Sequence, residues 1–410
     1  MNPDPHPNAP IKPPPPLRND IAAEFMLRPD ITFLNHGSFG AVPRVVFDAQ
    51  MEWRRRLEAE PVELLAPARR GTELLQATKE PVAALLGMAS NDFGLVTNAT
   101  EGINAVLRSL PLSKEPAERN ELLTTTHVYG AVRKAMQFVA DRDGWTYREV
   151  DVPLPVSSSA QIAERIIGAL SHHTRLLVID HVTSPTALIF PVEEIAAECG
   201  RRGIEILVDG AHAPGMLELN VPKIGATYYA GNLHKWCCAP KGCGFLWVNR
   251  AHQQHVHPLI ISHHLGEGFT PEFGWQGTRD VSAWLTIPAA LQYMAAMRWE
   301  RIRRHNHELA VWAHRVLLDR LNVRPISPID GSLLGSMAAA PMPGSLHEMD
   351  ETRACDFQKR LYHEFQIEIP IMRWQDRCYM RVACQIYNQA AQYEKAADII
   401  ARLAASRGTR

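Results

Sequence analysis

The sequence lacks long apolar runs and carries almost no net charge. It has no stretch near 18 consecutive apolar residues, about the length that a bilayer-spanning helix needs. It also has no basic segment followed by an apolar one, the pattern of a secretory signal peptide. The 43 Lys and Arg residues nearly balance the 44 Asp and Glu residues, whereas nucleic-acid-binding domains tend to a pI above about 9. We therefore expect neither a membrane nor a nucleic acid as a partner.

Cysteine is scarce, and its placement does not indicate a disulfide framework. The chain has seven cysteines in 410 residues, an odd number scattered along a long sequence. Secreted disulfide-rich domains are short and have paired cysteines. We therefore expect a soluble protein in a reducing, cytoplasmic setting.

The length and apolar content are sufficient for a large core. Hydrophobic residues make up 46% of the chain, and a length above about 300 residues favours two domains. The first 16 residues are rich in proline, which is typical of an extended arm.

The most informative stretch is Glu205 to Val248, which contains three short apolar runs punctuated by Gly and Pro. Runs of this length predict buried strands rather than helices. Asp209 ends the first run and Lys235 follows the second. If the strands lie side by side, both side chains emerge where α/β sheets bind ligands.

A carboxylate and an amine at such a position suit pyridoxal 5'-phosphate (PLP). The amine of Lys235 would form a Schiff base with the cofactor aldehyde, and Asp209 would pair with the protonated ring nitrogen. The alternative is that Asp209 begins a turn and Lys235 is a solvated surface lysine.

Several ordered motifs resemble one family. DGAHAPG and GNLHKW in the central stretch, with FLNHGSFG, NATEGIN, HVTSPTALIFP, GTRD and MRVACQIYN elsewhere, resemble the class V aminotransferase superfamily of fold-type I PLP enzymes. The resemblance is strongest to the isopenicillin N epimerase-like branch, and it covers roughly residues 25 to 390. It implies an α/β fold with a large domain, built on a mostly parallel seven-stranded-type sheet, and a smaller α+β domain.

The domain bounds that we predict follow from this resemblance and from the composition. Residues 1–20 form a disordered Pro-rich arm, and residues 21–60 join the small domain. Residues 61–290 form the PLP-binding large domain, and residues 291–410 form the small domain.

The start of a predicted helix within NATEGIN is the expected site of the cofactor phosphate. A helix N-terminus presents free N–H groups and a partial positive charge. We place the phosphate at Ala99, Thr100 and Glu101, although an ordinary capped helix would have the same sequence.

The resemblance implies the remaining cofactor contacts. His127 or Tyr129 would stack on the ring, and His212 occupies the place of a glutamine that many relatives have beside the phenolic oxygen. The other positions that it implies are Thr183, Ser184, Asn232 and His234, together with Gly277 and Thr278, which would reach the cofactor of the neighbouring subunit in a homodimer.

Arg381 is the expected substrate anchor. The resemblance places an arginine here to bind the α-carboxylate of the substrate, and a guanidinium can donate two parallel hydrogen bonds to that group. Asn35 and His36 lie in a segment that folds towards the substrate in the resembled family.

The chemistry expected from the resemblance is epimerisation at an amino-acid Cα, with Lys235 as the catalytic residue that takes and returns the proton. The alternatives are a C–S lyase or desulfhydrase acting on a cysteine derivative or sulfoxide, and an aminotransferase. A non-catalytic PLP-binding module is the least favoured reading. Five histidines between residues 251 and 265 have no supporting cysteine pair or carboxylate, so we expect no metal site.

Overall fold

The computed structural model describes residues 12–110 and 119–405. Its strands are β1 (Thr32–Phe33), β2 (Phe93–Val96), β3 (Glu121–Thr125), β4 (Thr146–Val150), β5 (Thr174–Asp180), β6 (Glu205–Gly210), β7 (Tyr228–Asn232), β8 (Gly244–Val248), β9 (Met337–Pro341), β10 (Ile367–Glu368), β11 (Ile371–Trp374) and β12 (Arg377–Ala383). Its α-helices are α1 (His36–Phe39), α2 (Arg44–Ala59), α3 (Pro61–Leu65), α4 (Thr72–Leu86), α5 (Ala99–Ser109), α6 (Gly130–Asp143), α7 (Ser159–Ala169), α8 (Val192–Arg201), α9 (Phe269–Gly274), α10 (Ser282–Leu285), α11 (Ile287–Ala296), α12 (Trp299–Leu321), α13 (Glu351–Phe365) and α14 (Ala390–Ala405).

A seven-stranded sheet forms the centre of the molecule. Its strand order is β2-β8-β7-β6-β5-β3-β4. Strand β8 runs antiparallel to both of its neighbours, and the other pairs are parallel. The predicted α/β class with a mostly parallel sheet is confirmed.

The central strands are buried on both faces, as strands covered by helices must be. In β5, Leu177 and Ile179 belong to one apolar cluster, whereas Leu176 and Val178 belong to another that also contains residues of α5 and α6. Successive side chains point to opposite faces of a sheet. Asp180, the last residue of β5, therefore lies on the same face as Val178, towards α5.

A smaller antiparallel sheet, with the order β11-β12-β9, has a separate apolar core. Helices α12, α13 and α14 contribute to that core. Near the start of the chain, β1 pairs in parallel with β10, and Leu34 joins the same core.

The chain start differs from the predicted arm. Residues 1–11 lie outside the described residues, so this part of the prediction has no structural counterpart. Residues 12–20 are described, and Leu17 packs against a cluster that includes Ile21 and Phe25. This segment therefore contacts the body of the protein at the partly buried Leu17. The other domain bounds stay a prediction.

Within the two described ranges, no helix is long and apolar enough to cross a membrane.

Candidate active site

A cavity of about 300 Å³ opens where β5, β6 and β7 end. The carboxyl ends of parallel strands are where α/β sheets bind ligands. The residues lining it that the sequence predicted are Ala99, Thr100, Tyr129, Ser184, Asp209, His212, Asn232, His234 and Lys235.

Lys235 is partly buried and lines the cavity, three residues after the end of β7. Its Nζ lies 3.2 Å from Nε2 of His212. Burial, and secondly the charge of Arg381, lower the pKa of Lys235 to about 7. A large part of this amine is therefore neutral at neutral pH, as a nucleophile must be.

Asp209 ends the buried part of β6, and only 3% of its surface is exposed. Oδ1 accepts a hydrogen bond of 2.9 Å from the N–H of Ala211. Burial raises the pKa of Asp209, whereas the hydrogen bond from Ala211 and the charge of Lys235 act in the opposite direction. A cation placed beside this carboxylate would hold it in its charged form.

The first turn of α5 reaches the same cavity. The N–H of Ala99 donates to Oδ1 of Asn232 at 2.8 Å, and the side chain of Asn98 caps the helix by accepting from Glu101 N–H. The Glu101 carboxylate accepts from Thr97 N–H at 2.8 Å. The structure thus turns the side chain of Glu101 towards the helix cap, and the phosphate contact predicted at this helix start stays a prediction. Thr100 lines the cavity in the first turn, where helix amides have no intrahelical acceptor.

His127 and Tyr129 have different surroundings. The two ring nitrogens of His127 lie 2.8 Å from Oγ1 of Thr186 and 2.7 Å from the carbonyl of Val152, and the ring packs on Trp374 with centroids 4.5 Å apart. Tyr129 lines the cavity and is 44% exposed. The geometry therefore favours Tyr129 as the ring that can lie over a bound ligand.

Arg381 is 2% exposed and donates only to uncharged groups. Nη1 donates to the carbonyl and the hydroxyl of Ser184 at 2.7 and 3.1 Å, and Nη2 donates to the hydroxyl of Ser38 at 3.2 Å. Among the described residues, Arg381 forms no ion pair. Burial lowers its pKa to about 10, still far above neutrality, so a charged guanidinium is held without a protein anion.

The imidazole of His36 supports the site through its contact with the backbone of Lys235. Its Nε2 lies 2.9 Å from the carbonyl of Lys235, and its Nδ1 lies 2.8 Å from the hydroxyl of Tyr387. Burial lowers its pKa to about 3, so the ring is neutral. Because both nitrogens contact protein groups, the ring positions Lys235 instead of facing a substrate, which differs from the predicted contact.

The side chains of Asn35 and Thr183 also form hydrogen bonds to other protein groups. Asn35 donates to Glu368 at 2.8 Å and accepts from the hydroxyl of Ser38 at 2.6 Å. The hydroxyl of Thr183 accepts from Leu188 N–H at 2.8 Å. Both side chains therefore shape the site through their neighbours, and the direct contacts predicted for them are not seen.

Gly277 and Thr278 lie outside the Lys235 cavity, in a separate surface pocket that Trp275 and Trp284 also line. Their predicted role in a neighbouring subunit stays a prediction. The nearby histidines have different partners: His257 contacts Glu272 and His264 contacts Glu267. Among the described residues, no group of three His, Cys, Asp or Glu side chains is placed to hold a metal.

The sequence did not predict several of the cavity residues, among them Ser38, Phe39, Asp180 and Lys241. Ser38 and Phe39 belong to the quoted motif FLNHGSFG, where only the Asn and His were selected. Asp180 ends an apolar strand just as Asp209 does, and that parallel was the available signal.

The residues of this cavity fit PLP. It has a partly buried amine, a buried carboxylate and the start of a helix, and two of its buried polar atoms, Nδ1 of His212 and Oδ2 of Asp180, have no partner among the described residues. Lys235 would hold the aldehyde, Asp209 the ring nitrogen and the α5 start the phosphate. When bound, PLP supplies an electron sink for a carbanion formed at Cα.

Comparison with curated proteins gives similarity along nearly the whole chain. The chain is 32% identical over 397 residues to isopenicillin N epimerase of Streptomyces clavuligerus, covering 93% of this chain and 97% of that protein. It is 30% identical over 416 residues to L-cysteine desulfhydrase of Arabidopsis thaliana, covering 94% and 90%.

Solved structures share the fold. An apo cysteine desulfurase from Thermococcus onnurineus NA1 matches with a TM-score of 0.77 at 19% identity, over 96% of this chain and all of that one. The cystine C–S lyase C-DES, in complex with its product cysteine persulfide, matches with a TM-score of 0.74 at 21% identity, over 91% and 98%.

The family model for aminotransferase class-V matches residues 33–358, well over half of the chain. That range includes the lysine, the carboxylate and the helix start that surround the cavity. The chain therefore belongs to the aminotransferase class-V family and is a PLP-dependent enzyme.

Proposed function

We propose that this enzyme removes the Cα proton of a small amino acid and returns it to the opposite face, as an epimerase. The observation that carries the proposal combines two groups: a buried, unneutralised Arg381 held by Ser184 and Ser38 of the cavity wall, and a Lys235 of lowered pKa that lines the same cavity. A substrate with a carboxylate beside an amine-bearing carbon matches these two groups.

Arg381 provides the carboxylate site. A buried charge without a counter-ion is costly, and here the guanidinium contacts only hydroxyl and carbonyl oxygens. A substrate carboxylate would neutralise it through charge-assisted hydrogen bonds. Ser38 and Ser184 fix the guanidinium so that binding needs little reorganisation.

Lys235 is the group that moves the proton. Its neutral amine can accept the Cα proton, and Nε2 of His212, 3.2 Å from Nζ, holds the amine in place. Epimerisation also needs a proton donor on the other face of the substrate. The phenol of Tyr129 lines the cavity, and we assign that role to it.

A second candidate is a C–S lyase that acts on cysteine or a cysteine derivative. Similarity to L-cysteine desulfhydrases at 30–31% identity supports it. The cavity also lies at the lower end of the roughly 300–1,000 Å³ usual for small-molecule sites, and it must hold cofactor and substrate together. That size favours a small substrate.

A lyase built this way would not carry sulfur on the protein. Six of the seven cysteines are buried and Cys355 is exposed on α13, and none of them lines the Lys235 cavity. Cys378 is buried within β12, where its Sγ donates to the carbonyl of Met349. The sulfur product would therefore leave directly.

Incubation of the PLP-loaded enzyme with single L-amino acids in heavy water separates the candidates. An epimerase yields the D-isomer with deuterium at Cα. A lyase yields sulfide, ammonia and a keto acid from cysteine, and an aminotransferase yields a keto acid with pyridoxamine phosphate. Lys235→Ala is the control, and an exchange rate unchanged in this variant would contradict the proposal.

We also propose that two copies form a homodimer in which Gly277 and Thr278 complete the neighbouring site. Both residues lie away from the Lys235 cavity of their own chain. The same region has several exposed apolar side chains, Leu259, Ile260, Ile261 and Leu265, each between 40% and 57% exposed. Exposed apolar patches of this kind mark interaction surfaces.

A further inference from the structure

Two buried aspartates, and not one, lie at the floor of the cavity. Asp180 and Asp209 are register partners on the adjacent parallel strands β5 and β6. They are 2% and 3% exposed, and both line the cavity. Both lie on the sheet face that carries α5, because Val178 and Leu207, two residues before each, pack in the α5 cluster.

The two carboxylates differ in the hydrogen bonds and charges that stabilise their ionised forms. Asp209 accepts a hydrogen bond from the N–H of Ala211 at 2.9 Å. Oδ2 of Asp180 is buried and has no hydrogen-bond partner among the described residues. Lys235 interacts with both carboxylates, and its charge favours ionisation of Asp209 more than that of Asp180. An anion is therefore easier to keep on Asp209 than on Asp180.

The cation on the α6 side of the cavity does not offset the negative charge that an ionised Asp180 would carry. Arg133, on α6, favours the ionised form of Asp180 only weakly, after the hydrogen bonds from backbone N–H groups, one of them that of Tyr129. Its guanidinium is held by both oxygens of Glu149, at 2.8 and 3.1 Å. Burial, and then the charge of Asp209, raise the pKa of Asp180 well above its usual range.

We propose that Asp180 is the permanently protonated member of this pair, a positioning residue that confines the single negative charge of the cavity floor to Asp209. Two neighbouring buried carboxylates cannot both ionise easily. Retention of the proton on Asp180 directs that charge to the one carboxylate placed for the cofactor ring nitrogen. The proposal rests on PLP binding at this cavity, and it holds for an epimerase and for a lyase.

The amide variant Asp180→Asn tests the proposal, because an amide matches a protonated carboxyl in size and in charge. The probe is the pH titration of the visible absorbance of bound PLP. We expect its midpoint to move by less than about 0.3 pH unit in Asp180→Asn, because no charge is lost. Asp209→Asn removes the anion and should lower the midpoint by about one unit or more, or abolish PLP binding. Asp141→Asn, at an exposed position on α6, is the control.

A fall of one unit or more in Asp180→Asn would overturn the proposal, because it would show that a charge had been removed. The wild-type holoenzyme gives a second readout that does not depend on a variant folding. With the aspartate carboxyl carbons labelled with ¹³C, one resonance should stay at its protonated position at pH 7. If every aspartate resonance is ionised at that pH, Asp180 is not neutral.

Failure of the cofactor site itself looks different in these experiments. If PLP binds elsewhere, Lys235→Ala keeps the visible absorbance of the wild type, and both aspartate variants leave the titration unchanged. The ¹³C measurement still reports the state of Asp180 in that case.

Discussion

The pKa of Lys235 determines when this protein can take up its cofactor. Burial is the largest cause of the lowering to about 7, and the charge of Arg381 is the second. Because only the neutral amine attacks an aldehyde, we expect the rate of PLP uptake by the apoenzyme to rise about tenfold per pH unit below 7 and to level off above it. Stopped-flow absorbance against pH measures this profile.

Arg381→Gln serves as the control for that profile. Loss of the guanidinium removes a charge that disfavours protonated Lys235, so the midpoint should move to higher pH. A wild-type midpoint near the ordinary lysine value, about 10.4, would show that Lys235 is not desolvated as described.

The same arginine should control recognition of the substrate carboxylate. Truncating one partner of a buried charge pair costs about 2–5 kcal/mol, so Arg381→Gln should lower kcat/KM for an amino acid by roughly 30-fold or more. The wild type should discriminate strongly against the matching amine that lacks the carboxylate, and the variant should not. If the variant keeps that discrimination, the carboxylate binds elsewhere. Unchanged absorbance of bound PLP would show that the cofactor site is intact.

At single residues, the sequence predicted which side chains surround the cavity better than it predicted their partners. Lys235 and Asp209 follow from residue type and from position near strand ends, whereas Arg381 was implied by the family resemblance. His36 and Thr183 were predicted as direct contacts, yet their hydrogen bonds are made to Tyr387, Lys235 and Leu188. Those partners are distant in sequence or depend on loop geometry, so the sequence pattern could not reveal them.

One short element brings the N-terminal motif against the catalytic lysine. Helix α1 ends at Gly40, whose φ of 71° and ψ of 164° lie in a region that only glycine adopts readily. A Cβ at Gly40 would lie 1.9 Å from the carbonyl oxygen of His234 and 3.2 Å from Cα of Lys235. The close approach of these two backbones therefore requires glycine.

We expect Gly40→Ala to lower the free energy of unfolding by about 2–4 kcal/mol and to weaken PLP binding. Backbone strain contributes about 1–3 kcal/mol, and the contact with His234 contributes about as much, because a backbone oxygen cannot move aside easily. Denaturant unfolding and dialysis against free PLP measure the two effects.

Gly144→Ala is the comparison for Gly40→Ala. Gly144 has a φ of 72° in the left-handed region at the end of α6, and a Cβ there would meet no atom within 4 Å. Its substitution should cost only about 1–2 kcal/mol and leave PLP binding unchanged. If the two variants behave alike, the close approach at His234 has no part in the effect.

At the level of elements, hydrophobic periodicity predicted helices and strands but not the directions of the strands in the sheet. The helix that the sequence predicts to start within NATEGIN is α5, which begins at Ala99. The run GFLWV was predicted as a strand beside its neighbours, and it is β8. Its antiparallel direction, between β2 and β7, depends on a connection whose path its apolar pattern does not encode.

The whole molecule presents an apolar face that a second copy would cover. The cavity formed by α4, β2 and the segment His263–Trp275 adjoins the pocket that contains Gly277, since Phe273, Trp275 and Trp284 line both. Leu259 to Leu265 extends this face with exposed apolar side chains. Homodimers associate through one patch on each copy, so the oligomeric state can be tested by altering this patch alone.

Ile260→Asp with Ile261→Asp should convert the dimer to a monomer in sedimentation velocity, because two charges would have to be buried in the interface. Both residues are more than 50% exposed in the single chain, so the folded subunit should tolerate the change. Phe138→Asp is the matched control, at an exposed apolar position on α6. A wild type that sediments as a monomer contradicts the dimer.

Subunit complementation tests whether Thr278 serves the neighbouring site. Lys235→Ala lacks the catalytic amine but keeps its Thr278, and Thr278→Val has the reverse defect. In a mixed dimer, one site receives the intact lysine of one chain and the intact threonine of the other. Random pairing makes half of the dimers mixed, with one intact site in two, so the activity should recover to about a quarter of the wild-type value. If Thr278 acted within its own chain, every site of a mixed dimer would carry one defect, no site would be intact, and the activity of the mixture would equal the average of the two variants.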